Sequence, residues 1–505
     1  MKAFPSTLSR NEALSDLRQL VNMITETHPD PYFQIGSQIE FFRAVNSILN
    51  DVPEEVDTSA LHLNAMKISA LAGDGHTLLD PLKSGGKKIW LMLEPVDETL
   101  LILGVYEEKH RKLIGSSVMA INGIAMERIK ENMKVFRGAN GENNNLMHLM
   151  ECFNNKFLMS FVVYGKVVDS DSIQLTLHNH ESGYASDVVF SFSERQPGEL
   201  IFNREMELPS SESSDLSWTI FNGNRGYLKI ESMRKYRENF ESQLSNGASE
   251  NFLLELMERS GIDTGETLEE AISKIPSATE IILEFLEKVR ENDIRNVIVD
   301  LRENTGGNSY LSYILSYLLF GDKILSVDEG YDVERYSEMY ARQFDIGNFE
   351  VFPGGYNFID EKRWKDGLRG MSKDDFQKIV NSSRSFSKCL KNHVPVHNLN
   401  VYVLCSARTF SAGFDLLSFL GKCGAKIIGV KPSQAANAFT NTIRYELEHS
   451  GLRGWISSKV MKKYPDKPMF YEITPDIQIG LENYKKHGYA LDTTVAETMK
   501  LIGSK

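Results

Sequence analysis

The chain has 505 residues, 41% of them hydrophobic and 25% charged, which is typical of a soluble globular protein. This length predicts about three domains of roughly 150 residues each. The formal net charge of -13 argues against nucleic acid or an anionic membrane surface as the main partner, because phosphate binding depends on clustered lysines and arginines.

The sequence shows no run of about 18 uncharged apolar residues, so we expect no membrane insertion. Its first residues lack the apolar stretch of a secretory signal, which predicts a soluble chain, either cytoplasmic or exported with its signal absent. The cysteines lie far apart, without zinc-ligand or disulfide spacing, at Cys152, Cys389, Cys405 and Cys423. No metal and no cofactor are predicted, and nothing indicates an oligomeric state.

The N-terminal part is predicted to be helical. Hydrophobic residues recur at helical spacing from Leu14 to Ile24, and two further helices are expected at residues 42–49 and 58–71. Gly73 suits the end of the third helix, so residues 74–77, D-G-H-T, should form the loop after it. We place an N-terminal helical domain at residues 1–82.

A β-rich stretch follows at residues 83–215. Short strands are expected between residues 89 and 121, the last of them closed by the Asn-Gly hairpin turn at positions 122 and 123. Further strands are predicted at residues 161–168, 173–177 and 188–192. These segments should form one or two small β-rich units.

Strands and helices alternate from residue 226 onward. Buried strands are predicted at residues 297–299, 401–404 and 426–430, and a helix at residues 280–291. This alternation predicts an α/β core, with a mixed or parallel sheet covered by helices. The core spans residues 216–505 and carries insertions at about 234–280 and 325–395.

Ser411 lies in the turn between the strand at residues 401–404 and an apolar helix. At a helix N-terminus, the dipole and free N–H groups stabilise negative charge on or near a serine oxygen. The N–H of Ala412 would then face a developing oxyanion. The alternative is that Ser411 is only the N-cap of the helix.

Gly306 and Gly307 follow the strand at residues 297–299 and precede a helix at residues 311–318. Paired glycines let the backbone approach a ligand and offer N–H groups, as an oxyanion hole requires. The alternative is a plain tight turn.

His76 lies on a glycine-containing loop rather than on an apolar helix face. Histidine is the usual base for a serine nucleophile, since its pKa lies near neutrality. The alternative is a solvated or locally hydrogen-bonded side chain.

Together these segments resemble the C-terminal-processing, or tail-specific, serine peptidases, with the tricorn protease core and the repeats of interphotoreceptor retinoid-binding protein as relatives. Residues 300–307, D-L-R-E-N-T-G-G, resemble the D-L-R-x-N-x-G-G loop of the family, and residues 409–412, T-F-S-A, its nucleophile turn. Residues 475–477, P-D-I, resemble its late P-D element. Residues 115–123 look like the core of its PDZ-like domain, and residues 71–77 like the end of its helical region.

The resemblance implies a crotonase/ClpP-like core with an N-terminal helical domain and a degenerate PDZ-like domain. It implies Ser411 as the nucleophile, with the oxyanion held by the N–H groups of Ala412 and of Gly306 or Gly307. The substrate would be a peptide or protein.

This chain departs from the Ser/Lys type of the family in the residue expected to act as the general base. Members of the Ser/Lys type carry a lysine after the nucleophile, where this chain has Ala436, and Lys431 lies five residues earlier. A Ser/Lys pair is therefore not expected. The tricorn-like branch instead takes a histidine from the N-terminal part and a glutamate from near the P-D element, which here implies His76 and Glu472.

The third member of the triad stays open. Glu472 does not align cleanly with the tricorn motif, and Asp74 and Asp415 are competing candidates to orient His76. Gly75 stands where tricorn has a serine.

Two functions fit these features. One is a serine peptidase that works through an acyl-enzyme, with Ser411 as nucleophile and His76 as general base. The other is a binding protein for peptides or apolar ligands on the same fold, as in the retinoid-binding repeats. The absent lysine favours binding, whereas the His76/Ser411 pair and the Gly-Gly loop favour the peptidase, which is our prediction.

Overall fold

The computed structural model describes residues 7–81, 86–166, 168, 170–211, 214–222, 224–265, 267–344, 371–391 and 398–503. Within them the strands form a two-stranded ribbon and sheets of seven, six and four strands. None of the described helices is long and apolar enough to cross a bilayer.

The N-terminal part is helical, as predicted. Its elements are β1 (Thr7–Ser9), α1 (Arg10–Thr27), α2 (Gln38–Asn50), β2 (Glu55–Asp57), α3 (Thr58–Ala70) and β3 (Leu78–Leu79). Each of the three helices starts at a polar N-cap residue whose side chain accepts a backbone N–H of the first turn: Ser9 for α1, Ser37 for α2 and Asp57 for α3. Gly73 has a φ of +72°, which turns the chain from α3 into the loop that carries His76.

The β-rich region forms a seven-stranded antiparallel sheet in the order β10-β5-β6-β8-β9, with β4 paired to β5 and β7 to β6. The strands are β4 (Leu91–Val96), β5 (Thr99–Val105), β6 (Ser116–Ile121), β7 (Ile124–Ala125), β8 (Ser172–Asn179), β9 (Ala185–Ser191) and β10 (Ile201–Phe202). Asn122 and Gly123 both have positive φ and join β6 to β7, which confirms the predicted hairpin.

The predicted strand at residues 161–168 is wrong. Residues Lys156–Tyr164 form helix α6, after α4 (Met126–Lys134) and α5 (Glu142–Phe153). The helix presents buried side chains over almost its whole circumference, and periodicity alone cannot distinguish such a short apolar run from a buried strand.

The α/β core is confirmed. Its six-stranded sheet has the order β11-β12-β13-β15-β16-β19, in which β11 and β12 are antiparallel and the other neighbours parallel. The strands are β11 (Leu216–Phe221), β12 (Arg225–Ile230), β13 (Asn296–Asp300), β15 (Asn400–Cys405), β16 (Lys426–Gly429) and β19 (Ile477–Gln478).

The described residues of the core also form helices, some of them within the predicted insertions. They are α7 (Arg237–Ser245), α8 (Glu250–Arg259), α9 (Leu268–Lys274), α10 (Ala278–Glu291), α11 (Tyr310–Phe320), α12 (Glu338–Gln343), α13 (Lys373–Asn381), α14 (Arg384–Leu390), α15 (Ala412–Lys422), α16 (Leu481–Lys486) and α17 (Thr493–Gly503). A 3-10 helix lies in the core at Gly321–Ser326, and another lies in the β-rich region at Glu108–Leu113. Of the predicted insertion at 325–395, residues 345–370 and 392–395 lie outside the described residues.

A four-stranded antiparallel sheet ties the N-terminal part to the core. It contains β14 (Tyr331–Glu334), β17 (Asn437–Glu446) and β18 (Arg453–Lys462), and β3 pairs with β18 through Leu78 opposite Trp455. The loop that carries His76 is therefore fixed on both sides, by α3 before it and by β3 after it.

The central sheet is buried on both faces. Along β13, Ile298 packs into the hydrophobic cluster shared with the N-terminal helices and the β-rich sheet, whereas Val297 and Val299 pack into a second cluster on the other face. This explains the uninterrupted V-I-V run of the strand.

Candidate active site

The Ser411 turn and the Gly-Gly loop leave the same edge of the central sheet. They follow β15 and β13, which are adjacent and parallel, so the carboxyl ends of both strands lie side by side. A Cβ atom added to Gly306 would lie 2.7 Å from the Ser411 Cβ and 3.0 Å from the Ala412 N. The structure therefore brings together the predicted nucleophile and the predicted oxyanion loop.

Ser411 has an unusual backbone conformation. Its φ of 53° and ψ of -126° lie in a region that L-residues rarely adopt, at a cost of about 1–3 kcal/mol. The Thr409 hydroxyl holds the turn, because its Oγ1 accepts the Ser406 N–H at 3.1 Å and donates to the Leu301 carbonyl at 2.8 Å. The Ser411 side chain makes no capping hydrogen bond to α15, so the N-cap explanation lacks its defining contact.

Asn304 connects three segments beneath the turn. It is fully buried, and its Nδ2 donates to the Ile230 carbonyl at 3.1 Å. Its Oδ1 accepts the Gly306 N–H at 2.9 Å, and its backbone carbonyl accepts the Phe410 N–H at 3.0 Å. Sequence reasoning assigned no role to Asn304, although it lies inside the recognised motif.

The two candidate glycines of the oxyanion loop differ in whether their N–H groups are already hydrogen-bonded. The N–H of Gly306 is taken by Asn304, whereas the N–H groups of Gly307 and Ala412 have no acceptor among the described residues. Gly307 has a φ of +146°, and a Cβ there would lie 2.0 Å from the Met233 carbonyl oxygen, so only glycine fits. Gly307 and Ala412 thus each offer an N–H group that no acceptor among the described residues occupies.

His76 lies beside the nucleophile turn. Its ring stacks on Phe410, with 4.6 Å between the ring centroids and 26° between the planes. His76, Gly307, Ser411 and Asp415 line one cleft of about 840 Å³. Neither ring nitrogen of His76 makes a hydrogen bond of ordinary geometry with the described residues.

Asp74 fixes the backbone of the histidine loop. Its Oδ1 accepts the N–H groups of His76 at 2.7 Å and Thr77 at 3.0 Å and the Ser457 hydroxyl at 2.8 Å. Its Oδ2 accepts Nε2–H of His28 at 2.9 Å. Asp74 therefore positions the loop rather than bonding to the His76 ring, and its His28 partner was not identified from the sequence.

The sequence profile of peptidase family S41 matches residues 224–479, just over half of the chain. The chain belongs to peptidase family S41. It is accordingly a serine-type hydrolase that acts on peptides or proteins. No curated protein matches the chain.

Solved structures add a likeness in fold. Mature CPAF superposes with a TM-score of 0.59 at 11% identity, over 95% of both chains, and mature CPAF complexed with lactacystin gives 0.58 at 11%, over 98% of both. The photosystem II D1 C-terminal processing protease gives 0.43 at 11%, over 93% of this chain and 94% of that one. The CPAF likeness covers nearly the whole chain and therefore supports the α/β fold outside the matched S41 region.

Burial controls the proton affinity of His76 in this S41 peptidase. Burial lowers the pKa of His76, whereas Asp74, the Phe439 backbone carbonyl and Asp415 oppose this shift. A general base must start neutral, and a lowered pKa keeps the imidazole in that form near neutral pH. Burial also disfavours the charge on Asp74, but the hydrogen bond and charge of His28 hold the pKa of Asp74 below its ordinary value.

The candidate third carboxylates occupy different places. Asp415 lines the cleft, where its Oδ2 accepts the Ser309 hydroxyl at 2.6 Å and its Oδ1 lies 3.3 Å from Lys463 Nζ. Glu472 is not among the residues that line the cleft, and its Oε2 pairs with Lys431 Nζ at 2.9 Å.

Glu472 nevertheless contacts the segment behind the histidine loop. A Cβ added to Gly141 would lie 2.0 Å from Glu472 Oε1. The preceding residue, Asn140, accepts the Gly75 N–H at 3.1 Å on its Oδ1. A Cβ at position 75 would lie 2.4 Å from Asn144 Oδ1, so a side chain there would displace this amide.

Two lysines that the sequence did not single out, Lys459 and Lys463, line the cleft. Burial disfavours their charge, but Asp332 raises the pKa of Lys459 and Asp415 that of Lys463, so both pKa values lie above the ordinary value. Both are therefore cationic at neutral pH and cannot accept a proton. Ala436, at the lysine position of the Ser/Lys type, is fully buried.

The lowered pKa of His76 predicts the acid limb of the activity profile. Because burial lowers this pKa from its ordinary value of 6.5, we expect the acid limb of kcat/KM to have its midpoint below pH 6.5 if His76 is the base. A profile of kcat/KM against pH with a peptide substrate measures this. An acid limb with its midpoint at or above pH 6.5 would contradict the prediction.

The free energy of unfolding should also decrease as the pH is lowered. Burial lowers the pKa values of His62 and His148 to about 4 each, whereas in the unfolded chain histidines protonate near about pH 6.5. The unfolded state therefore binds more protons between these values, so stability is complete above about pH 6.5 and declines toward pH 4. Thermal unfolding across this range should show a falling Tm.

Proposed function

We propose that this S41 peptidase hydrolyses peptide bonds through an acyl-enzyme on Ser411, with His76 as the general base. The observation that supports this most is the stacking of His76 on Phe410, the residue before Ser411. Although 335 positions separate residues 76 and 411 in the sequence, both side chains line one cleft with Gly307.

The reaction would begin with attack of Ser411 Oγ on the scissile carbonyl carbon, while a His76 nitrogen takes the hydroxyl proton. His76 then gives this proton to the leaving amine, which departs and leaves an ester on Ser411. A water molecule, deprotonated in turn by His76, hydrolyses the ester and restores the free enzyme.

The oxyanion would be bound by backbone donors. The N–H groups of Gly307 and Ala412, which have no acceptor among the described residues, would donate to this oxygen, and α15 would add the positive end of its dipole. Gly306 contributes by its lack of a side chain, since it lets the loop approach Ser411 closely.

The choice of His76 as base follows from the charge states of the cleft. Lys459 and Lys463 are held as cations by their carboxylate partners, and Lys431 pairs with Glu472 outside the cleft lining. Among the described residues that line the cleft, the neutral group suited to accept a proton at pH 7 is the His76 imidazole.

The imidazolium formed during the reaction needs negative charge nearby. Asp74 and Asp415 both favour the protonated form of His76. Glu472 remains the candidate third residue from the family resemblance, and in the resting structure its contact with Gly141 connects it to the histidine loop only indirectly.

We further propose cleavage near substrate carboxyl ends, as the resemblance to tail-specific peptidases implies. The capture unit would be the PDZ-like β-rich region, residues 83–215, between the helical domain at residues 1–82 and the crotonase/ClpP-like core at residues 216–505. The antiparallel sheet of the β-rich region is compatible with this role.

A random decapeptide library tests the proposed activity. We expect the wild-type protein to generate new peptide termini, detected by mass spectrometry, and the Ser411→Ala variant to generate none above background. Retention of library peptides on the wild-type protein without any cleavage would instead indicate a binding protein on this fold.

A further inference from the structure

Four Lys or Arg side chains line the cleft, and they differ in whether a carboxylate pairs with their charge. Three have carboxylate partners at 2.5, 3.2 and 3.3 Å, in the pairs Arg259–Glu255, Lys459–Asp332 and Lys463–Asp415. The fourth, Arg234, is solvent-exposed and forms no ion pair with any residue that the structure describes. A positive charge is therefore available to an incoming molecule at this point of the cleft.

Arg234 is fixed against the oxyanion loop. Its Nη1 donates to Thr305 Oγ1 at 3.3 Å, and a Cβ at Gly307 would lie 3.0 Å from its Cγ. The backbone of the preceding residue, Met233, donates to the Gly306 carbonyl at 3.0 Å and accepts the Asn308 N–H at 2.7 Å. The stem of the Arg234 side chain therefore packs at Gly307, and its guanidinium is held by Thr305 in the same loop.

The carboxylate of Asp215 lies near Arg234 but accepts its hydrogen bonds from groups other than the guanidinium. Asp215 accepts the backbone N–H groups of Arg234 at 3.0 Å and Lys235 at 2.7 Å and the Ser232 hydroxyl at 2.5 Å, all on Oδ2. These bonds fix the backbone at Arg234 without pairing its guanidinium. The side chain is thus anchored at its base while its charge faces the cleft.

We propose that Arg234 is a specificity-determining residue that binds a carboxylate of the substrate within about two residues of the scissile bond. The planar guanidinium matches a carboxylate with two parallel hydrogen bonds. The scissile carbonyl must lie at the Gly307 N–H, and Arg234 packs directly against Gly307, which sets this short spacing. The inference rests on the proposed function, since it places the substrate at Ser411.

The carboxylate can come from an Asp or Glu side chain or from the carboxyl terminus of the peptide. A different role, direct stabilisation of the oxyanion by Arg234, would affect all substrates equally. Recognition of a carboxylate would affect only substrates that carry one near the cut. These two patterns can be separated by experiment.

Binding to the inactive protein gives a test that does not require turnover. Immobilised Ser411→Ala protein is exposed to a random decapeptide library, made once with free carboxyl ends and once with amidated ends. We expect retained peptides to be enriched about fivefold or more in Asp or Glu at one position, or in free over amidated ends, as a partly exposed ion pair provides. The added substitution Arg234→Gln should abolish this enrichment.

Arg259→Gln is the matched control, because Arg259 lines the same cleft but is already paired with Glu255. On the Ser411→Ala background it should leave the enrichment unchanged. Equal retention of acidic and neutral peptides, or an enrichment that survives Arg234→Gln, would overturn the inference.

Cleavage by the Ser411-containing protein then separates the two proposals. Arg234→Gln should lose the preference for carboxylate-bearing peptides and keep its kcat/KM on neutral ones. An equal fall on all peptides would assign Arg234 to the oxyanion and overturn carboxylate recognition. Absence of any cleavage by wild type, beside an Arg234-dependent enrichment in binding, would contradict the peptidase proposal while supporting the carboxylate site.

Discussion

Replacing His76 with Ala should lower kcat/KM by about three or more orders of magnitude, as loss of a triad base does elsewhere. The neutral imidazole beside Phe410 is the proposed acceptor of the Ser411 proton, and the lysines that line the cleft are cationic. Initial rates with a cleavable peptide from the library measure the loss. The Asp74 contacts involve the His76 backbone N–H, so the loop should keep its conformation in the variant.

Lys431→Ala is the matched comparison. Lys431 Nζ pairs with Glu472 and does not line the cleft, so most activity should remain. An inactive Lys431→Ala enzyme beside an active His76→Ala enzyme would reverse the assignment of the base.

Replacing Ser411 with Ala should remove about six orders of magnitude from kcat, the scale found when a serine nucleophile is deleted from another serine peptidase. The protein should stay folded, because the Ser411 hydroxyl makes no hydrogen bond with the described residues and alanine meets the same backbone strain at a φ of 53°. Peptide hydrolysis and Tm, measured on the same preparation, check both parts.

Ser312→Ala is a suitable control for this loss. Ser312 also lines the cleft, and its hydroxyl likewise has no hydrogen-bond partner among the described residues. It should retain near wild-type activity. If Ser411→Ala kept full activity and Ser312→Ala lost it, the assignment of Ser411 as the nucleophile would be wrong.

The sheet and its loops could be predicted because their signals are local. The buried runs of β13 and β15 are recognisable from their apolar, β-branched residues, and each leads directly into a glycine or serine loop. Once two such strands are adjacent and parallel, their loops must meet at one edge. Ser411 and the Gly-Gly loop were therefore accessible from the sequence.

His76 required more than local pattern, since its contact with Phe410 crosses more than 300 positions and depends on the pairing of β3 with β18. The family resemblance supplied what periodicity could not. The His28–Asp74 bond and the pairing of Glu472 with Lys431 were not predicted, because each joins residues that only the tertiary fold brings together.

The apolar run at residues 156–164 shows that hydrophobic periodicity alone can also assign the wrong secondary structure. It forms α6, with six of its nine residues buried. A short apolar run has the same hydrophobic pattern in a buried helix and in a buried strand, so the sequence pattern does not distinguish them.

Covalent labelling tests the central claim, that Ser411 is an activated nucleophile, most directly and without knowledge of the substrate. A fluorophosphonate probe should add once to the wild-type chain, on the peptide that contains Ser411, and should not label the Ser411→Ala variant, as intact-mass and peptide mass spectrometry will show. Labelling of Ser411→Ala at the wild-type rate, or an adduct mapped to another residue, would contradict it.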